Sequence, residues 1–138
     1  MRILVITLLA GALSGAACVA VAADPAPVTE SRAALISQAD LLARLERKDP
    51  DVVVLDVRTA AEFAAGHVPG ARNLSHELLS SRIGELDGLR GKQVVLYCRS
   101  GRRTSLAEEV LRKAGFTRLS HLEGDFLAWE AAHRPIER

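Results

Sequence analysis

Cysteine is scarce in this chain: 138 residues carry only Cys18 and Cys98, which excludes a disulfide framework as the source of stability. Aromatic residues make up 4%, with Tyr97 and Trp129 single examples of their kinds, so most of the core must be aliphatic. Neither sign of charge prevails, since 18 Lys and Arg face 17 Asp and Glu. That balance gives no support to general nucleic-acid binding, which needs a basic face. No internal repeat or block of like charge interrupts the chain, and 49% apolar with 25% charged residues is the composition of one soluble globular domain.

The one long apolar run is N-terminal. MRILVITLLAGALSGAACVAVAAD places Arg2 before an apolar stretch and ends it in small residues, the pattern of a secretory signal. Ala20-Val21-Ala22 sets the expected cleavage after Ala22, with Ala23 as the alternative. A retained anchor is disfavoured by Gly11, Ser14, Gly15 and the many alanines, with no basic stop after them. Lipidation of Cys18 is disfavoured because Gly15 stands where a lipobox has a large aliphatic residue. The expected organisation is a signal peptide over 1–22, a flexible tether over 23–34 containing DPAPVT, and one domain over 35–138. Export, to the periplasm of a bacterium, then leaves Cys98 as a solitary thiol in an oxidising compartment, either paired between molecules or kept for its chemistry. No stable membrane association is expected of the cleaved chain.

Periodicity gives the fold class. Val52 to Asp56 and Val94 to Tyr97 are continuous apolar runs of the kind buried on both faces in a parallel sheet. Ser37 followed by Asp40 predicts an N-cap and a helix ending near Lys48-Asp49-Pro50. Further helices are predicted over 59–65, over 103–114 with Leu106, Ala107, Val110, Leu111 and Ala114 on one apolar face, and over 125–132, where Trp129 anchors the core. Short strands are predicted near 71–74 and 118–122. Strands alternating with helices make an α/β fold: a central parallel sheet flanked by helices in three layers.

The informative segment is VVLYCRSGRRTSLAEEVLRKAGF. A buried strand ends at Tyr97, Cys98 follows, and a helix starts within a few residues. Ligands of parallel α/β sheets bind outside the carboxyl ends of the strands, and a turn there aims successive N–H groups inward. The helix N-terminus adds partial positive charge. A thiol so placed is expected to be held as thiolate, with Arg99, Arg102 and Arg103 adding to the field and Gly101 keeping the cradle open.

CRSGRRT, with LDVRTAAEFAAGHVPGARNL upstream and LEGDFLAW downstream, resembles the rhodanese homology domain, from about Ser37 to Ile136. The resemblance implies a sulfurtransferase in which Cys98 accepts sulfur as a persulfide and Arg99, Ser100, Gly101, Arg102, Arg103 and Thr104 form the anion cradle. Thiosulfate or a similar small anion is the implied donor, and cyanide, a small thiol or a protein thiol the acceptor. The family's pattern departs at Asp125, where many relatives carry a second glycine; only the turn before the last helix is expected to feel that change.

Phosphatases with a related cysteine loop place an arginine six positions on. Here that position is Thr104 and Arg103 stands at five, so the loop is too short for a phosphate clamp. Asp56 and Arg58, at the end of the first buried strand, are read as support for the loop, and His67 as a packed turn residue. His76, His121 and His133 show no metal-ligand spacing, and neither metal nor cofactor is expected. Two other uses of the same thiol stay open: relay of sulfur between proteins with little turnover of free thiosulfate, and redox sensing.

Overall fold

A computed structural model of the chain describes residues 32–138. The expected signal peptide, Cys18 and all but the end of the expected tether lie outside the described residues.

Five parallel strands form one sheet. They are β1 (Ala34–Ile36), β2 (Val52–Asp56), β3 (Arg72–Asn73), β4 (Gln93–Tyr97) and β5 (Leu119–Leu122), in the order β1-β5-β4-β2-β3. The helices are α1 (Gln38–Glu46), α2 (Ala60–Ala65), α3 (His76–Leu79), α4 (Arg102–Lys113) and α5 (Asp125–Ala131), with a 3-10 turn over Ile83–Leu89. The predicted α/β architecture is therefore observed, and β2 and β4 are its central pair, in register from Val52 against Gln93 to Asp56 against Tyr97.

Alternation along these strands divides the core in two. Leu55, Val57, Val94, Leu96 and Cys98 join Ala107 and Leu111 of α4 on one face of the sheet. Val54, Val95 and Tyr97 join Leu41 of α1 and Phe126 and Trp129 of α5 on the other. Because side chains alternate with period two, Cys98 continues the α4 face and meets that helix at its first turn. Trp129 is fully buried, and its Nε1–H donates to Pro135 O at 2.8 Å.

Local signals account for several boundaries. Ser37 caps α1, its Oγ accepting from Asp40 N–H. Thr59 and Glu62 form a reciprocal capping box that starts α2. Other features depart from expectation. Ala34, placed in the tether by its sequence, belongs to β1, which pairs along β5. Leu106 was predicted on the buried face of α4 but is 46% exposed, while Glu108 is buried because its carboxylate accepts from Ala33 N–H and from Arg112. A paired carboxylate can occupy a buried position on a helix face otherwise lined by apolar residues.

Candidate active site

Cys98 stands immediately beyond the carboxyl end of β4, 1% exposed, and each of its polar atoms is engaged. Its N–H donates to Asp125 Oδ1 at 2.8 Å. Its carbonyl accepts from Phe126 N–H at 3.0 Å, and Arg99 O accepts from Leu127 N–H at 3.2 Å. Its Sγ accepts from Gly101 N–H at 3.0 Å. Gly101 holds φ at 111°, and a Cβ there would meet Asp125 Oδ2 at 3.0 Å, so strain and crowding both favour glycine. It is also the N-cap of α4 and, having no side chain, supplies no capping hydrogen bond to the first turn.

The remaining loop residues divide by what their side chains touch. Arg99, Ser100 and Arg102 are exposed. Arg103 is held by Glu62 of α2 through two hydrogen bonds of 2.7 and 2.8 Å. Its guanidinium is raised above its usual pKa first by those bonds to Glu62, against burial, with a smaller contribution from Cys98. Thr104 turns inward, fully buried, and its Oγ1 donates to Asp125 Oδ1 at 3.1 Å.

Asp125 corrects the expectation that this position affects only a turn. Its backbone is in the left-handed region at φ 53°, where Asp is tolerated better than most residues but still at a cost of roughly 1 kcal/mol. In return, one buried carboxylate clamps Cys98 N–H and the Thr104 hydroxyl, which are the two ends of the loop. Its Oδ2 accepts from His121 Nε2–H at 2.9 Å. Burial pushes the carboxyl up, but His121, Cys98 N–H and Thr104 together outweigh burial and hold it below its usual range.

Asp56 and Arg58 pair with each other, both buried, with Arg58 Nη2 2.6 Å from Asp56 Oδ2. Arg58 Nη2 also donates to Gly66 O at 2.7 Å, and its guanidinium lies 4.0 Å from the centre of the Phe126 ring. Burial works against that charge, yet the hydrogen bonds and attraction of Asp56 prevail and keep the guanidinium above its usual pKa. The guanidinium also lies 5.5 Å from the centre of the Tyr97 ring, and Asp56 is the register partner of Tyr97, the residue before Cys98. His67 stacks on Phe63, and its Nδ1 lies 2.9 Å from Phe63 O.

Glu62, Asp125 and His121 escaped the sequence reading as site residues. The capping box marks Glu62, but nothing local marks its reach of 41 residues to Arg103. His121 and Asp125 are four apart, yet they meet across a strand and a turn, where helical spacing has no force.

Glu62 makes acid stability testable. The Arg103 hydrogen bonds, then those from Thr59, hold its carboxyl at about 2 against burial. A depressed carboxylate contributes stability that is complete above its unfolded value of 4.5 and is lost as pH falls toward 2. Solvent screening of this partly exposed pair reduces its worth to about 1 kcal/mol. Urea unfolding at pH 7 and pH 3 is expected to show wild type losing about 1 kcal/mol more than Glu62→Gln over that interval; equal losses would disprove the coupling.

The chain belongs to the rhodanese-like domain family, whose model matches residues 37–132. Among its relatives, a sulfurtransferase of Allochromatium vinosum is 38% identical over 86 residues, covering 62% of this chain and 78% of that protein. Thiosulfate sulfurtransferase GlpE of Pseudoalteromonas translucida is 32% identical over 104 residues, covering 75% and 95%. The rhodanese-like domain of an Anabaena protein superposes with a TM-score of 0.67 at 31% identity, over 77% of this chain and 80% of that one. In two further relatives the chain covers only 49% and 59% of their length.

Proposed function

We propose that this chain is a sulfurtransferase that carries sulfane sulfur on Cys98. The observation that carries the reading is the Gly101 N–H directed at Cys98 Sγ from 3.0 Å at the N-terminus of α4, where partial positive charge favours an anionic sulfur. The thiolate electron pair attacks the outer sulfur of thiosulfate; a sulfur–sulfur bond forms to Cys98, the donor's own sulfur–sulfur bond breaks, and sulfite leaves with that electron pair. A thiolate or cyanide then attacks the outer sulfur of the persulfide, takes it, and returns the Cys98 thiolate. Dividing one transfer into two displacements is the gain from covalent catalysis. Donors at the loop and first turn suit the negative terminal sulfur, and exposed Arg99 and Arg102 suit attraction of a small dianion. The names and sequences of the relatives support the same class.

The N-terminal signal pattern supports action after export, in the periplasm. With Cys18 in the segment expected to be removed and Cys98 the one free cysteine among the described residues, an external acceptor fits this reading: a small thiol, cyanide or the thiol of another protein. Incubation of the chain with thiosulfate is expected to add the mass of one sulfur atom at Cys98, discharged by cyanide with formation of thiocyanate. A chain whose mass never changes, at any donor concentration, removes this reading.

A further inference from the structure

The turn between β5 and α5 carries two left-handed residues in succession, Gly124 at φ 73° and Asp125 at φ 53°. Glycine takes that conformation without penalty, whereas a residue with a side chain keeps it only where its surroundings hold it. Asp125 is held by three hydrogen bonds to its carboxylate, in a residue 3% exposed. Oδ1 accepts from Cys98 N–H at 2.8 Å and from the Thr104 hydroxyl at 3.1 Å, and Oδ2 accepts from His121 Nε2–H at 2.9 Å. His121 lies on β5, a strand flanked by β1 and β4, and its Nδ1 is buried with no hydrogen-bonding partner among the described residues. An unprotonated Nδ1 orphans no donor there, so the ring is the neutral tautomer that carries its proton on Nε2, facing Oδ2. The carboxylate is therefore tied to the sheet through one oxygen and to the loop through the other.

The two loop attachments bracket one residue. Cys98 and Thr104 stand three positions to either side of Gly101, whose N–H is the donor 3.0 Å from Cys98 Sγ. The carboxylate and the ring also pack against Gly101 itself, since a Cβ there would meet Asp125 Oδ2 at 3.0 Å and His121 Cε1 at 3.5 Å. The backbone bonds from Phe126 and Leu127 hold only the carbonyls of Cys98 and Arg99, at the start of the loop. We infer that Asp125 is a positioning residue for sulfur uptake: its carboxylate, anchored on the sheet by neutral His121, draws in both ends of the loop so that Gly101 N–H stays aimed at the sulfur. The rate of uptake rests on the sulfurtransferase reading; the aim of the N–H does not. Capture of the donor falls in that reading to exposed Arg99 and Arg102, so loss of the carboxylate acts on the chemical step and leaves donor affinity in place.

The test follows loading of Cys98 by mass, in single turnovers over a range of thiosulfate concentrations, which separates the limiting rate from half-saturation. Asp125→Gly suits the left-handed backbone and removes the carboxylate. Its limiting rate is expected to fall about 30-fold, with half-saturation within about two-fold of wild type. Asp125→Asn keeps an oxygen for Cys98 N–H and Thr104, and its amide donates to Nε2 once the ring's proton moves to Nδ1; it is expected to retain at least about a third of the wild-type rate. The amide proton of Gly101 gives a readout that needs no sulfur transfer. Its NMR shift, moved downfield in wild type by the bond to Sγ, is expected to return upfield in Asp125→Gly and to hold in Asp125→Asn. Should Asp125→Gly fail to fold, Thr104→Val removes one of the three donors and keeps the branched shape. That variant is expected to lower the limiting rate about five-fold at unchanged half-saturation and to move the Gly101 amide in the same direction. An unchanged limiting rate, a loss lying wholly in half-saturation, a Gly101 amide that does not move, or an Asp125→Asn variant as slow as Asp125→Gly overturns the inference. Thiosulfate that never loads wild type, together with a Gly101 amide that moves as expected, ends the sulfurtransferase reading and leaves the positioning role standing.

Discussion

Replacement of Cys98 by serine is expected to lower thiosulfate-dependent sulfur transfer by about 10³-fold or more while leaving the fold intact. Serine is nearly isosteric, and its hydroxyl can accept the Gly101 N–H that Cys98 Sγ now takes at 3.0 Å. The bonds from Cys98 N–H to Asp125 and from Phe126 N–H to Cys98 O belong to the backbone and survive the change. What disappears is the capacity to form a sulfur–sulfur bond, which no oxygen at neutral pH supplies. Steady-state formation of thiocyanate measures the loss, and a thermal midpoint within a few degrees of wild type shows that structure is not its cause. Retention of more than a tenth of the activity by the serine variant would place the chemistry elsewhere.

The second large effect concerns stability. Asp56→Ala is expected to cost about 3–5 kcal/mol, because it leaves the Arg58 guanidinium, only 4% exposed, buried without its partner. For a domain of this size that corresponds to a fall in midpoint of roughly 15 °C. Arg58 would keep its bond to Gly66 O, which is too little to compensate a buried charge. The double variant Asp56→Ala with Arg58→Met removes both charges and fills the space beneath Phe126, and is expected to recover much of the loss. Circular dichroism melts of the three proteins decide the matter: equal losses in the single and double variants would mean that the pair is not coupled.

The central pair of strands and the start of the first two helices were legible because their causes are local. Unbroken apolar runs need burial on both faces, and Ser37 and Thr59 cap the residues that follow them. The same holds for the position of Cys98, which depends only on where β4 stops and α4 begins. Less legible features depend on distant partners. β1 is three residues long and exists because β5 offers an edge to pair with. Glu108 is buried through its bond to Ala33, 75 residues away, while Leu106 is left at the surface. The candidate site follows the same division, since the loop can be read directly but its clamp cannot. Asp125 interrupts a glycine pattern, and only the fold reveals that its carboxylate gathers Cys98, Thr104 and His121.

The peptide carbonyls of Cys98 and Arg99 are captured by the N–H groups of Phe126 and Leu127, so the reactive loop is spliced to the opening turn of the last helix. The order in which the molecule fails follows from that splice. Fraying of α5 and the residues after it distorts the cup first, while the five strands still stand, and sulfur uptake should decline on warming before far-ultraviolet ellipticity does.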